Sequence, residues 1–174
     1  DDAARTALNA AGAHQRMASA AVIERAIALA ERAATDRPFA GAARAWIWRA
    51  EERAEALGDE EAAKRLVLAR VVMDLAPWAS QEAREWAAWE AMALVYHTPY
   101  PLAFQEVGRA LERMGAPQSA LILLYMARNL GMDDIDAISR LEAQATTEQK
   151  EDAQQRADQN MPPNIPKLIK DHIQ

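Results

Sequence analysis

The chain has 174 residues, a length that suits one domain with a sizeable hydrophobic core. Its hydrophobic fraction of 51 % is too high for a disordered protein, and much of it is alanine, the residue with the highest helix propensity. The net charge of −6 argues against nucleic-acid binding, which needs a clustered basic surface. The absence of cysteine excludes disulfides, thiolate metal sites and cysteine nucleophiles.

Proline and glycine punctuate the chain and few β-branched runs occur between them, so we predict an all-α protein of seven or eight helices. Gly58 and Gly131 are expected to end helices in the left-handed conformation, and Pro77 to end another. Asp59 and Ser80 are expected to cap the helices that follow them. The predicted helices cover residues 2–15, 17–35, 39–57, 59–76, 80–97, 102–114, 117–130 and, after a cap at Asp133 or Asp134, a stretch to about 159.

Residues 98–101, Thr-Pro-Tyr-Pro, interrupt this pattern, because each proline pushes the residue before it towards extended geometry. We interpret this segment as a rigid linker. Two helices of similar length follow, separated by Gly115 at the end of the first and Pro117 at the start of the second. This arrangement predicts an antiparallel helix hairpin.

Large and small side chains alternate along this hairpin, from residue 101 to residue 134, with the spacing of a single repeat unit. Small residues let two helix backbones cross closely, and large ones fill the space between helix layers. The positions are Phe104, Val107, Gly108, Leu111, Gly115, Ala120, Leu124 and Ala127. The segment therefore resembles a tetratricopeptide repeat (TPR), whose period is 34 residues. The proline that closes the repeat in that family is missing, since position 132 is Met.

A weaker match to the same pattern occurs at Ala50, Ala54, Gly58, Ala63 and Val67, but the helix after it is about one turn too long. The resemblance implies antiparallel helix pairs stacked as a TPR-like solenoid, with a concave surface that holds another protein. On this interpretation residues 1–134 form the helical-repeat domain, residues 135–160 a polar helix and residues 161–174 an extended tail. An irregular helical bundle with one chance match is the alternative.

Five tryptophans are many for a chain of this length. Trp86 and Trp89 lie three residues apart and share a helix face with Ala93, whereas Trp46 and Trp48 lie two apart and cannot both face one core. We expect tryptophans to serve as anchors in a partner interface, where this residue is enriched. The alternative is that they fill gaps left by alanines in the core.

No constellation of catalytic or metal-binding residues emerges from the rest of the sequence, so we predict no catalytic, cofactor-binding or metal site. The three histidines are scattered without ligand spacing, and His97 is best explained as a cation near a helix C-terminus. The serines lack a nucleophile elbow. Glu82, Glu85 and Glu90 lie near the tryptophans, but paired carboxylates are common on an acidic helix.

The C-terminal tail, residues 161–174, has a second pattern that predicts binding to another protein. Its prolines favour an extended stretch, after which apolar residues recur at helical spacing, at Ile165, Leu168, Ile169 and Ile173. A short apolar stripe after a stiff polar spacer is typical of a docking element. Packing of the tail against its own chain, or disorder, are the alternatives.

We therefore predict a non-catalytic protein–protein interaction module, acting as an accessory or assembly subunit of a larger complex in the bacterial periplasm. The expected partner is another protein subunit, with no nucleic acid, cofactor or membrane span, and any membrane association runs through that partner. The expected anchors are Trp46, Trp48, Trp86, Trp89, Tyr100, Ile165, Leu168 and Ile169, with Arg44, Arg109, Asn129 and Arg140 as polar clamps.

Two alternatives for the function stay open. One is a small stabilising subunit of a membrane-associated periplasmic oxidoreductase, and the other is a ligand carrier or enzyme with a tryptophan-lined pocket. The periplasmic location is suggested by the first residue, Asp1, because removal of a signal peptide, or a trimmed chain, would leave such an end. A cytoplasmic location is the alternative.

Overall fold

The computed structural model describes residues 2–96 and 100–171, and these contain nine α-helices, one short 3-10 helix (Arg37–Phe39) and no strand. The predicted all-α class is confirmed, and the arrangement of the helices as a solenoid stays a prediction. The α-helices are α1 (Asp2–Thr35), α2 (Ala40–Leu57), α3 (Glu60–Asp74), α4 (Gln81–Tyr96), α5 (Pro101–Arg113), α6 (Pro117–Asn129), α7 (Ile135–Glu142), α8 (Thr147–Asp158) and α9 (Ile165–Asp171).

The chain divides into two compact units, residues 1–70 and residues 71–174. In the first unit α1 packs against α2, and both helices contribute mainly alanine to the contact. Alanine lets two helix axes approach closely, so this pair is held by many small contacts. The buried residues are Ile23, Ala26, Ala30, Ala33 and Ala34 of α1 with Ala43, Ile47, Ala50 and Ala54 of α2.

Two predicted helix boundaries were wrong. α1 is a single helix rather than two, because neither glycine nor proline separates residue 15 from residue 17 and Arg16 is a good helix former. The stretch that we predicted as one helix to about residue 159 is divided into α7 and α8. A new helix begins there because Thr146 and Gln149 form a capping box, in which each side chain bonds the other's backbone N–H.

The predicted caps are confirmed where they can be checked. Gly58 follows α2 in the left-handed conformation, with φ +63°. Asp59 accepts the backbone N–H of Ala62 on its Oδ1 atom at 3.0 Å, as an N-cap residue does. Of the two acidic candidates before α7, Asp134 is the cap and Asp133 is exposed.

In the second unit α5 and α6 form the helix hairpin that the sequence predicts. Gly108 of α5 is buried where the two helices cross, next to Leu124 and the carbonyl group of Ala120 on α6. The turn between the helices contains Gly115 at φ +82°, a backbone conformation that favours glycine. The small residues of the pattern therefore lie where the backbones approach, as expected.

α6 is the most deeply buried helix of this unit, with every residue from Ala120 to Ala127 inaccessible. A helix that is apolar on all sides needs neighbours on all sides, and α6 contacts α5, α7 and α8. The domain boundaries that we predicted at residues 134 and 160 both lie inside this second unit, which covers residues 71–174.

The C-terminal segment packs against its own unit. Pro162 and Pro163 are buried, and α9 contacts α4 through the fully buried side chains of Ile165 and Ile169. The hydroxyl group of Tyr96 donates to the carbonyl oxygen of Pro162 at 3.5 Å. The segment is thus extended only over a few residues before α9, and it follows the alternative in which the tail packs on its own chain. Ile173 and His172 lie outside the described residues.

Candidate functional site

α4 exposes a continuous line of side chains on the side opposite its buried alanines. Its buried residues are Ala87, Ala88, Ala91 and Val95. The exposed line, which we name the α4 stripe, consists of Glu82, Trp86, Trp89, Ala93 and Tyr96. These positions are four, three, four and three residues apart, which is the spacing of the a and d positions of a coiled-coil heptad. The stripe therefore has the periodicity of a helix-packing surface.

The stripe presents large apolar side chains to solvent. Trp86 is 67 % exposed, Trp89 61 % and Tyr96 50 %. Two indoles at this exposure present on the order of 300 Å² of mostly apolar surface. Patches of this size on soluble proteins are commonly functional.

A cavity of about 420 Å³ lies beside the two indoles and is lined by Glu85, Trp86 and Trp89. Glu85 precedes Trp89 by four residues, so its carboxylate and that indole are neighbours on the helix surface. The carboxylate accepts a hydrogen bond from the amide of Gln81 at 3.0 Å. The side of the α4 stripe that carries Glu85 is therefore acidic as well as aromatic.

The other predicted tryptophan anchors lie in the first unit. Trp46 is half-buried, with the guanidinium group of Arg25 at 4.9 Å from its ring centroid and that of Arg49 at 5.7 Å. These distances are typical of cation–π contacts within the protein. Trp48 is 63 % exposed on the other side of α2. The structure thus groups Trp86 with Trp89 and separates Trp46 from Trp48 by face, as the spacing predicts.

The remaining predicted anchors are less accessible. Tyr100 is half-buried and precedes α5 as its N-terminal flanking residue, in an extended conformation. Ile165 and Ile169 are both 0 % exposed and Leu168 is half-buried. The prediction that Ile165 and Ile169 anchor another chain is corrected, because in this structure their side chains belong to the core of the second unit.

The predicted polar clamps are engaged within the chain. Arg109 donates from Nε to Asp134 at 2.6 Å, and Arg140 donates from Nε to Glu112 at 3.2 Å. The amide of Asn129 donates to a carboxylate on α8 at 3.0 Å, and Arg44 also has an interaction within the chain. Arg109, Asn129 and Arg140 thus connect helices within the chain, which leaves them poorly placed to hold a peptide.

Tyr96 was the residue of the α4 stripe that the sequence analysis missed. The signal was present, because the spacing of Trp86, Trp89 and Ala93 continues to Tyr96, but we did not extend it past the alanine. His97 and residues 98–99 lie outside the described residues, so the predicted role of His97 and the first half of the predicted linker are not described. Tyr100 is extended as predicted, whereas Pro101 is already the first residue of α5.

A second cavity, of about 510 Å³, lies in the first unit, where α1 meets the end of α2 and the start of α3. Its charged rim includes Arg65 and Glu24, which pair with each other at 2.7 Å. Among the described residues no cluster of three or more His, Asp or Glu side chains could hold a metal ion. No helix within residues 2–96 and 100–171 is both long and apolar enough to cross a membrane.

Comparison with protein-family models, with curated proteins and with solved structures finds no match to this chain. The resemblance to the TPR family therefore rests on the residues of the α5–α6 hairpin and on the weaker match around Gly58, and membership of that family stays a prediction.

Proposed function

We propose that this protein is a protein–protein interaction module that binds an α-helix of a partner protein along the α4 stripe. The single observation that carries the proposal is the exposure of Trp86 and Trp89 side by side on a helix whose opposite face is buried. Leaving two indoles in water forgoes several kcal/mol of transfer free energy, so exposed tryptophans of this kind mark an interface.

The spacing of the α4 stripe supports a helix as the bound element. Side chains at heptad spacing form a line of knobs and holes that a second helix matches along its whole length. Ala93 lies exposed between Trp89 and Tyr96, so a side chain at this position faces the partner helix. A strand or an extended peptide has a period of two residues and would meet this line only at isolated points.

The charges beside the α4 stripe support a basic partner helix rather than a second copy of this chain. Glu82 lies at the start of the stripe. Glu85 directly precedes Trp86 and occupies the g position of the heptad, from which side chains form ion pairs between helices in coiled coils. Two copies that paired through this stripe would bring their own carboxylates together, which is unfavourable. Lysine or arginine at the flanking positions of the partner would instead form ion pairs.

The proposed setting is that of an accessory or assembly subunit of a larger periplasmic complex, with no catalytic activity of its own. The stabilising subunit of an oxidoreductase is the same proposal with a specific partner, and the identity of the bound protein separates the two. The ligand-carrier alternative is weaker, because the described lining of the cavity beside the tryptophans comes from a single helix, whereas carrier sites enclose most of their ligand.

The test is site-specific photo-crosslinking in the native host. A photoreactive amino acid replaces Ala93 in the full chain, and the matched control carries it at Ser139, which is also exposed and lies on α7. We expect one adduct of defined mass from position 93 and none from position 139, with the attached peptide mapping to a helix that has basic flanking residues.

Three results would contradict the proposal. Adducts formed equally at positions 93 and 139 would indicate unspecific encounters. An adduct whose attached peptide comes from this chain would indicate self-association. Undiminished crosslinking at position 93 after Trp86→Ala and Trp89→Ala would show that the indoles do not hold the partner.

A further inference from the structure

We infer that the cavity beside Trp86 and Trp89 receives the guanidinium group of an arginine on the partner helix. This inference rests on the proposed function and adds the chemistry of one anchoring residue. The cavity of about 420 Å³ is lined by two indoles and the carboxylate of Glu85. Both kinds of group attract a cation, the indole through the negative face of its ring and the carboxylate through its charge.

The local geometry holds the carboxylate beside the rings. Glu85 and Trp89 are one helical turn apart on the surface of α4, and Glu85 is adjacent to Trp86 in sequence. The Oε1 atom of Glu85 accepts a hydrogen bond from Gln81 at 3.0 Å. Because the Gln81 side chain is a neutral amide, this bond orients the carboxylate without neutralising its charge.

Aromatic rings elsewhere in the chain already bind guanidinium groups. Arginine supplies the cation in four cation–π contacts among the described residues. Trp86 and Trp89 receive no such contact from the described part of the chain, although both are more than half exposed. The contacts are Arg25 and Arg49 with Trp46, Arg32 with Phe39, and Arg128 with Tyr125.

Among the described residues no basic side chain lines the cavity. Arg84 is the basic residue of α4, but it is half-buried, its Nε atom is inaccessible, and it is not among the residues that line the cavity. A guanidinium group fits better than an ammonium group, because it is planar, stacks flat on an indole and offers paired N–H donors to a carboxylate. An arginine of the partner therefore complements all three lining residues at once.

The test measures binding of a minimal arginine probe to the full chain. The chain is labelled with ¹⁵N in the tryptophan indoles, and Nα-acetyl-arginine N-methylamide is titrated while the five indole N–H resonances are followed by NMR. The resonances are assigned with Trp86→Phe and Trp89→Phe. We expect saturable shifts of the Trp86 and Trp89 resonances and none at Trp46, whose ring already contacts Arg25 and Arg49.

Two controls isolate the charge. The citrulline analogue has the shape of the arginine probe without its charge, and we expect it to give no saturable shift. Glu85→Gln keeps the shape of the lining residue, and we expect it to weaken binding of the arginine probe about fivefold. Glu151→Gln removes an exposed carboxylate of α8 that belongs neither to the α4 stripe nor to the described lining of the cavity, and we expect a change of less than about twofold.

The inference is overturned if the arginine probe causes no saturable shift, if the citrulline probe shifts the resonances equally, or if Glu85→Gln and Glu151→Gln have the same effect. These failures differ from failure of the proposed function. If the crosslink from position 93 persists at full yield in Glu85→Gln while the probe does not bind, the helix-binding role stands and the arginine anchor is rejected.

Discussion

Gly108 on α5 lies directly against Leu124 on α6, so closely that a Cβ atom added to the glycine would be 3.2 Å from the Cγ atom of the leucine. The same added atom would be 3.4 Å from the carbonyl oxygen of Ala120. Leu124 is 0 % exposed, and side chains in close-packed interiors have little room to shift. The crossing of these two helices therefore depends on the absence of a side chain at position 108.

We expect Gly108→Ala to lower the free energy of unfolding by about 1 kcal/mol, because overpacking outweighs the gain in helix propensity. Gly41 in α2 is the matched control, since an added Cβ atom there meets nothing within 4 Å. We expect Gly41→Ala to leave stability unchanged or raise it by up to about 1 kcal/mol. Urea denaturation followed by circular dichroism measures both, and equal effects would contradict this account of the crossing.

Asp134 caps α7 and also accepts a hydrogen bond from Arg109 at 2.6 Å. Burial alone would raise the pKa of this carboxyl group, but the bonds from Arg109 and from the N–H of Ala137 outweigh it and lower the pKa. We expect Asp134→Ala to destabilise the protein by about 1–2 kcal/mol at neutral pH. The neighbouring Asp133→Ala, at an exposed position, serves as the control and is expected to cost less than about 0.5 kcal/mol.

The pH dependence of this contribution has a definite sign. Because the folded-state pKa of Asp134 lies below the ordinary value of 3.8, the contribution is present above that value and is lost as the pH falls through the lower folded-state pKa. The difference in unfolding free energy between the wild type and Asp134→Ala is therefore expected to shrink in acid. A difference that stays constant down to pH 2 would contradict the assignment.

Tyr125 is buried and donates its hydroxyl hydrogen bond to Glu142 at 2.9 Å. Burial, with the contact to Glu142, raises the pKa of Tyr125 to about 12. In the unfolded chain the phenol ionises near pH 10, so stability is expected to fall between pH 10 and pH 12 by about 1.4 kcal/mol per pH unit. Tyr125→Phe should remove this part of the slope.

Absorbance at 295 nm, which follows tyrosinate formation, checks the same group directly. We expect one of the three tyrosines to titrate about two pH units later than an exposed one, and Tyr125→Phe to remove that late step. Glu142→Gln should move the step only part of the way back, because burial is the larger cause. A late step that survives Tyr125→Phe would assign it to another residue.

The position of α9 predicts a structural role for the C-terminal segment. Ile169 is 0 % exposed in the contact with α4, so we expect Ile169→Ala to destabilise the second unit by about 2–4 kcal/mol. Lys167→Ala, at an exposed position of the same helix, should have little effect. Thermal unfolding of the two variants compares them. Equal stabilities of the two variants would indicate that α9 does not pack against α4, and would favour the prediction that the segment docks on another chain.

The sequence predicted those parts of the fold that depend on local chemistry. Gly58 and Asp59 define a helix end and a helix start through their own backbone preferences, and the alternation around Gly108 indicated the crossing with α6. The helix against which α9 packs could not be predicted in this way, because an apolar stripe at Ile165 and Ile169 fits its own chain and another chain equally well. The choice is made by long-range packing against α4.

The same distinction applies to the candidate site. The spacing of Trp86 and Trp89 predicts that they share a face, but not whether that face points inward or outward. The answer depends on the small residues Ala87, Ala88 and Ala91, which occupy the buried side of α4 and leave the indoles outside. The proximity of Glu85 to the two indoles follows from the helical spacing and was predicted from the sequence.

The claim that Trp86 and Trp89 hold a partner helix is tested by the dissociation constant of the complex, which should rise when either indole is removed. With the protein captured from position 93 as ligand, isothermal titration calorimetry compares wild type, Trp86→Ala, Trp89→Ala and Ile135→Ala, the last removing a side chain that is 65 % exposed on α7 of the same unit. We expect each tryptophan variant to weaken binding by at least about 2 kcal/mol, or roughly 30-fold, and Ile135→Ala to stay within about twofold of wild type. Equal affinities for all four proteins would contradict the claim.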